Sequence, residues 1–283
     1  MSDRTVQMDL GPGVIAAVTR RHGGVSRPPF DTFNMSTKVD YSSLSDIEQS
    51  EHLADALENR RSLSEELGID ADAWVVARLV HGSTVRVISE SDRGSGADRF
   101  EDGIPNCDSL VTNVPDIPLA VLVADCAPVF IYDPENHACG VAHAGYGGAI
   151  EGVAKRTVEI MSIYYGTSPA NVRVVVGPCL GPQSLEMQNL SIIDRAERAF
   201  PGEASLTGPN GTPHLNVPAM VRRQLLDAGV SESNIDETGL DTAGGEEFFS
   251  YRATPKNFFD PSDQTRYTQA TGRLAAIIAV RST

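Results

Sequence analysis

The sequence predicts a mixed α/β (α+β) sandwich of β-sheet and helices, and three observations carry that expectation. Short apolar runs bounded by Gly, Pro, Asp or Asn recur along the chain, as buried strands separated by turns would. Segments with helical spacing of apolar residues stand among them, and the two kinds do not alternate regularly as βαβ units do. No internal repeat, low-complexity block or long Pro/Gly/Ser linker interrupts the 283 residues, so residues 1–283 read as a single domain.

The first strand is expected at 14–18, and it runs out into Thr19-Arg20-Arg21-His22-Gly23-Gly24, where glycines permit unusual backbone angles. Over 45–67, charged residues interleave with Ile47, Leu53, Leu57 and Leu63; this is a surface helix that Gly68 terminates. Strands follow at 74–80, 84–88, 109–112, 119–123, 129–132 and 138–142. Ile150, Val153, Val158 and Ile160 place a helix over 149–164. A strand at 172–176 stops at Gly177-Pro178, and helices are expected at 192–200 and 218–228, the latter with Pro218 in its first turn. The last two strands are expected at 247–251 and 274–280.

Thirty-eight acidic against 23 basic residues give a formal net charge of -15, which repels a phosphate backbone and excludes polymeric nucleic acid as a partner. Small anions stay open, because a few converging Arg side chains reverse the potential inside one cleft. No run approaches the roughly 20 apolar residues of a membrane helix, so no membrane partner is expected. The opening MSDRTVQMDL lacks the basic-then-apolar order of a signal peptide, and the expected location is cytoplasmic. The four cysteines, Cys107, Cys126, Cys139 and Cys179, form no CxxC pair, which excludes a disulfide framework.

Three places join a metal-capable or nucleophilic side chain to a strand end and a Gly or Pro turn: Val80-His81-Gly82, Asp125-Cys126-Ala127-Pro128 and His143-Ala144-Gly145. Two imidazoles and a thiolate make a three-ligand set for Zn²⁺ with a fourth position open to water or substrate, and Cu accepts the same donors. Wide separation in sequence leaves their convergence open. Cys126 is equally readable as a thiolate nucleophile beside a His, or as a small buried hydrophobe. The other cysteines read as structural, with the Cys179 loop the one that reaches toward the site. His22 lies in a Gly-rich loop within reach of a ligand, whereas His52, His137 and His214 have polar neighbours and are expected to face solvent. Arg21 and Arg252 flank strand ends, where a guanidinium grips a phosphate or carboxylate or joins a surface ion pair. Asn34 binds substrate or closes a turn, and Asp125 orients an imidazole, carries a proton or caps a turn.

In order, the chain carries TRRHGGVS, FNM, VHG, CDSLVT, ADCAPV, AHAGYGG, VVGPCLGP, FFSYR and TGRLAAII. Together these motifs resemble the laccase-domain family, also called multicopper polyphenol oxidase-like or YfiH-like, over nearly the whole chain. The resemblance implies one α/β domain and a metal site, usually zinc, with ligands at His81, Cys126 and His143. It also implies purine nucleoside chemistry: phosphorolysis of adenosine, inosine, guanosine and methylthioadenosine, with nucleoside and phosphate as small-molecule substrates, and deamination of adenosine. Copper-dependent phenol oxidation and editing of a peptidoglycan precursor are further activities in the family, and a non-catalytic metal-binding module is the remaining alternative. Six His in the whole chain are few for a multicopper relay. A monomer or a homodimer is equally compatible. Where the family pattern reads HAGWRG, this chain has Tyr146 and Gly147; Leu79 replaces a common Gln, and Asp241 a common Cys. If the missing Arg serves an anion, Gly147→Arg is expected to raise phosphate-dependent turnover.

Overall fold

The computed structural model describes residues 3–38, 45–208, 211–254 and 271–282. In chain order its strands are β1 (Thr5–Gln7), β2 (Val14–Thr19), β3 (Val75–Val76), β4 (Val85–Val87), β5 (Ser109–Thr112), β6 (Leu119–Val123) and β7 (Ala127–Asp133). They continue with β8 (Ala138–Ala144), β9 (Arg173–Val176), β10 (Ser205–Thr207), β11 (Pro213–Leu215), β12 (Ile235–Glu237) and β13 (Leu274–Val280). The helices are α1 (Asp46–Leu67), α2 (Tyr146–Glu151), α3 (Val153–Tyr165), α4 (Leu190–Ala199) and α5 (Val217–Asp227). Five strands form one sheet in the order β1-β2-β13-β6-β3, and six form another in the order β12-β9-β7-β8-β5-β4, while β10 and β11 pair apart.

Side-chain alternation along the strands decides how the layers stack. Leu274, Ala276 and Ile278 of β13 face the six-stranded sheet, sharing one core with its Leu110, Phe130, Val141 and Val175. Ala275 and Ile277 point the other way, against Leu63 of α1, Trp74 and Phe33. Val129 and Ile131, alternating with Phe130, lie under Ala149, Val158, Met161 and Val221 of α2, α3 and α5. The mixed α/β sandwich therefore has four layers, helix, sheet, sheet and helices. Both sheets are covered on both faces, which is why their strands read as continuous apolar runs.

Local signals account for most boundaries. The Ser45 hydroxyl accepts the Glu48 amide while the Glu48 carboxylate accepts the Ser45 amide, a capping box worth about 1 kcal/mol, and Gly68 closes α1 in the left-handed region at φ 62°. Where one helix is expected over 149–164 the chain forms two, because Gly152 at φ 86° ends α2 and lets α3 start in a new direction. A Cβ there would meet nothing within 4 Å, so the backbone angle calls for glycine.

Three expectations are corrected. The strand expected over 74–80 ends at Val76, since beyond it the chain keeps only an isolated bridge from Ala77 to Ile104. No strand forms at 247–251; Phe248 and Phe249 are apolar because they plug the shared core. His52 and His214 are buried rather than solvent-facing, the first edge-on to Phe30 and the second held by the Pro182 carbonyl. Among the described residues, no helix is long and apolar enough to cross a membrane.

Candidate metal centre and active site

The order of strands in the six-stranded sheet brings distant residues to one end of it. β5 and β8 pair with Ser109 opposite Ala142, so the next step places Asp108 opposite His143, and the His143 amide donates to the Asp108 carbonyl at 2.7 Å. β7 and β8 pair with Ala127 opposite Ala144, which sets Cys126 beside Gly145. His81 enters from the turn before the edge strand β4, and Cys179 from the end of β9. A Cβ on Gly145 would lie 3.1 Å from both Cys126 Sγ and His81 Cδ2, so glycine leaves the space in front of these side chains open.

His81, Cys126 and His143 each present one donor atom, and the three atoms lie within 4.8 Å of one another. The two imidazoles stand edge to face, 4.9 Å between centroids. His143 is buried, and its Nδ1 lies 3.0 Å from Asp108 Oδ1; an ionised carboxylate only accepts, so Nδ1 donates to it and Nε2 is the nitrogen a metal would take. The same fully buried carboxylate accepts the amides of Val80 at 3.3 Å, His81 at 2.8 Å and Gly82 at 2.8 Å. It thereby holds His81 at φ 61°, a left-handed conformation costly for this side chain.

Burial raises the Asp108 pKa, but the hydrogen bonds from His143 and the turn amides win and hold it below the usual range. Burial likewise pushes the Cys126 thiol up, yet the charge and hydrogen bonding of His143 and His81 bring it down to about 6. For His143 burial lowers the pKa, while Cys126 and Asp108 raise it to about 9. Without a metal this end of the sheet is therefore a thiolate beside an imidazolium. Cys107, Cys139 and Cys179 are pushed up by burial to about 12 and stay neutral thiols.

These residues fit a divalent ion. Ligands about 2.0–2.3 Å from a common centre sit about 3.5 Å apart, so small side-chain adjustments close the observed spacing. The donors are soft to borderline, one imidazole is oriented by a carboxylate behind it, and Gly145 keeps an open side for a further ligand.

The trio opens into a cavity of about 790 Å³ lined by both sheets and their loops. Arg252 is in its wall, with one guanidinium nitrogen on the Glu186 carbonyl at 3.1 Å. Arg21 and Asn34 are not in the wall. Arg21 is bound to Asp31 and lies over the Phe249 ring, 5.3 Å from its centroid. Asn34 is buried behind the wall, where its Oδ1 accepts the amides of Ser36 at 3.1 Å and Arg273 at 2.8 Å, fixing two wall residues. Asp125, at φ 88°, accepts the Thr242 hydroxyl and the Arg252 amide, each at 2.7 Å, and so anchors the Arg252 segment rather than an imidazole.

Sequence reasoning did not single out Asp108, Lys38 or Arg273. An Asp set between Cys107 and an apolar strand is the signal that marks the first. Lys38 and Arg273 join Arg252 in the wall, and among the described residues none of the three is ion-paired with a carboxylate. Arg273 falls within the TGRLAAII motif, while no local pattern distinguishes Lys38. At Gly147, a Cβ would come 2.7 Å from the His81 carbonyl, so the arginine of the family pattern cannot be added here without displacing the His81 turn.

A two-sheet α/β protein with a His-Cys-His cluster at one sheet end is the class these observations define. A family model for multi-copper polyphenol oxidoreductase laccase matches residues 15–281, and this chain belongs to that family. It is 31% identical over 273 residues to the purine nucleoside phosphorylase YlmD of Geobacillus stearothermophilus, spanning 95% of this chain and 91% of that one. With the YlmD purine nucleoside phosphorylase of Bacillus subtilis it shares 30% identity over 243 residues, 84% of this chain and 83% of the other. The crystal structure of the Bacillus licheniformis hypothetical protein YfiH superposes with a TM-score of 0.85 at 29% identity, covering 99% and 97% of the two chains. For the Geobacillus YlmD structure the TM-score is 0.84 at 29% identity, with 100% and 98% covered.

Proposed function

We propose that this chain is a purine nucleoside phosphorylase in which His81, Cys126 and His143 hold one zinc ion. The observation that carries the reading is the cavity of about 790 Å³, which unites the trio with Lys38, Arg252 and Arg273, none of them ion-paired with a carboxylate among the described residues. Its size suits a nucleoside and a phosphate together. In a chain of net charge -15, three cations converging on one cavity make a local anion site. Lys38, Arg252 and Arg273 bind the phosphate, and the exposed rings of Tyr146 and Tyr251 offer faces to the purine. A phosphate oxygen bonds to ribose C1′ as the C1′–N bond breaks, and the purine leaves with the bonding pair and takes up a proton. A bound ion supplies Lewis-acid polarisation of a substrate group. Asp108 keeps His143 and the His81 turn in place for it.

All six His and four Cys fall among the described residues, and the trio is the one metal-capable group of His, Cys and acidic side chains there. That weighs against a multicopper relay and for a single zinc. The test is incubation of zinc-loaded protein with adenosine, inosine, guanosine and methylthioadenosine, with and without phosphate. Phosphate-dependent release of base and ribose 1-phosphate is expected. Release independent of phosphate, ammonia release without base release, or no product from any nucleoside would overturn phosphorolysis.

A further inference from the structure

Cys179 is a buried thiol that the proposed reaction does not use, and the sheet sets its segment beside that of Cys126. β7 and β9 pair antiparallel with Val129 opposite Val176. Past the strands the regular ladder ends, yet the two segments stay hydrogen-bonded: Gly177 donates to the Pro128 carbonyl at 2.9 Å and Leu180 to the Asp125 carbonyl at 2.8 Å. Cys126 and Cys179 both lie between these two hydrogen bonds, with Ala127 and Pro178 beside them. Across a regular antiparallel pair, facing residues have Cα atoms about 4.5–5.5 Å apart, and both cysteines line the same cavity here. A disulfide spans Cα separations of about 4.4–6.8 Å, so closing one needs side-chain rotation but little backbone movement.

Access and selectivity point the same way. Both cysteines line the main cavity, so a small oxidant reaches them by the substrate's route. All four cysteines are free. Cys139 lies opposite Tyr132 and Thr112 on its two neighbouring strands, and Cys107 and Cys139 are both sealed in the core between the sheets.

We infer that Cys126 and Cys179 are a peroxide-sensitive modification site, closing to a reversible disulfide that dismantles the His-Cys-His centre. The Cys126 sulfur forms an S–O bond as the O–O bond of hydrogen peroxide breaks, and the departing hydroxide leaves as water with the thiol proton. The Cys179 sulfur then attacks the Cys126 sulfur, the S–O bond breaks, and a second water leaves with the Cys179 proton. The two sulfurs give up the two electrons that reduce the peroxide. A sulfur in a disulfide is no longer a thiolate ligand, so cross-linking and metal retention exclude each other, and bound metal shields Cys126. The inference stands whether or not the nucleoside reading holds.

The test treats metal-free and zinc-loaded full-length protein with hydrogen peroxide, alkylates the remaining thiols under denaturing conditions and maps peptides without reduction. Metal-free wild type is expected to yield the Cys126 and Cys179 peptides linked, lighter by two hydrogens, with Cys107 and Cys139 alkylated. A thiol reductant should return all four. Zinc-loaded protein should cross-link more slowly and release one zinc per cross-link. The Cys179→Ser chain should form no link and instead accumulate Cys126 sulfinic acid. Oxidised wild type with Cys126 over-oxidised and Cys179 still alkylatable, or with either linked to Cys107 or Cys139, would overturn the inference. Should the variant fail to fold, the wild-type map alone decides.

Discussion

Asp108 and Asp125 are both buried and both flank the His-Cys-His trio, but they hold different parts of the cavity's surroundings. Asp108 is saturated by three turn amides and the His143 imidazole, so its carboxylate is part of the centre's geometry. Asp125 spends its oxygens on Thr242 and the Arg252 amide and fixes the Arg252 segment instead. The trio sits on strand ends and the His81 turn, while the Arg252 and Arg273 side is held by single side chains, Asp125 and Asn34. Rigid positioning of the reacting centre and adjustable recognition are thus separated in space.

Substitutions should separate the two sides by what they remove. The largest effect is expected from His143→Ala and Cys126→Ala. Elemental analysis should show metal lost from each folded variant, with turnover down at least about a thousandfold. Metal kept at the wild-type level would break the proposed centre. Asp108→Asn should keep the ligands but weaken metal affinity by about 10–100-fold. In metal-free protein, denaturant titration should also show about 1–3 kcal/mol lost, because buried amides lose a charged acceptor. Gly147→Arg is expected to lower both metal content and turnover by displacing the His81 carbonyl. A rise in phosphate-dependent turnover would restore the reading drawn from the family pattern.

On the other side, Arg252→Ala and Arg273→Ala should raise KM for phosphate by about 10–100-fold, the loss of a charged hydrogen bond of about 1.5–3 kcal/mol, with metal content unchanged. Equal loss of metal would erase the division between the sides. The smallest effect is in pH. In metal-free protein the Cys126 pKa is depressed to about 6, so the thiolate is populated above that value and its alkylation rate should climb as pH rises through it. Cys107, Cys139 and Cys179, raised to about 12, should show no rise in alkylation rate over the same range. A Cys126 profile rising only toward the ordinary thiol pKa would mean that the two imidazoles do not act on it.

Legibility in the sequence followed how local each signal is. Strands 109–112, 119–123 and 274–280 were readable to the residue because buried runs end at turn formers. The run at 247–251 has the same composition, yet burial without a pairing partner gives plugs rather than a strand. His81, Cys126 and His143 stood out because each reactive side chain adjoins a Gly or Pro turn, although the strand expected before His81 ends at Val76. Asp108 passed unnoticed because its role depends on a His 35 positions later across a β pair. Asn34 was visible as a polar residue in a short motif, but its work on the Arg273 amide spans 239 positions.

By itself the sequence determined the mixed α/β class and singled out the three side chains that the proposed metal centre uses. Those follow from composition, local periodicity and the intrinsic chemistry of His and Cys. Tertiary structure decided that the three meet, that Asp108 orients them, that Lys38 and Arg273 join Arg252, and that Cys179 lines the same cavity as Cys126. The reason is physical: strand order and register are chosen by burial of both sheet faces summed over the whole chain, and no short window of residues contains that sum.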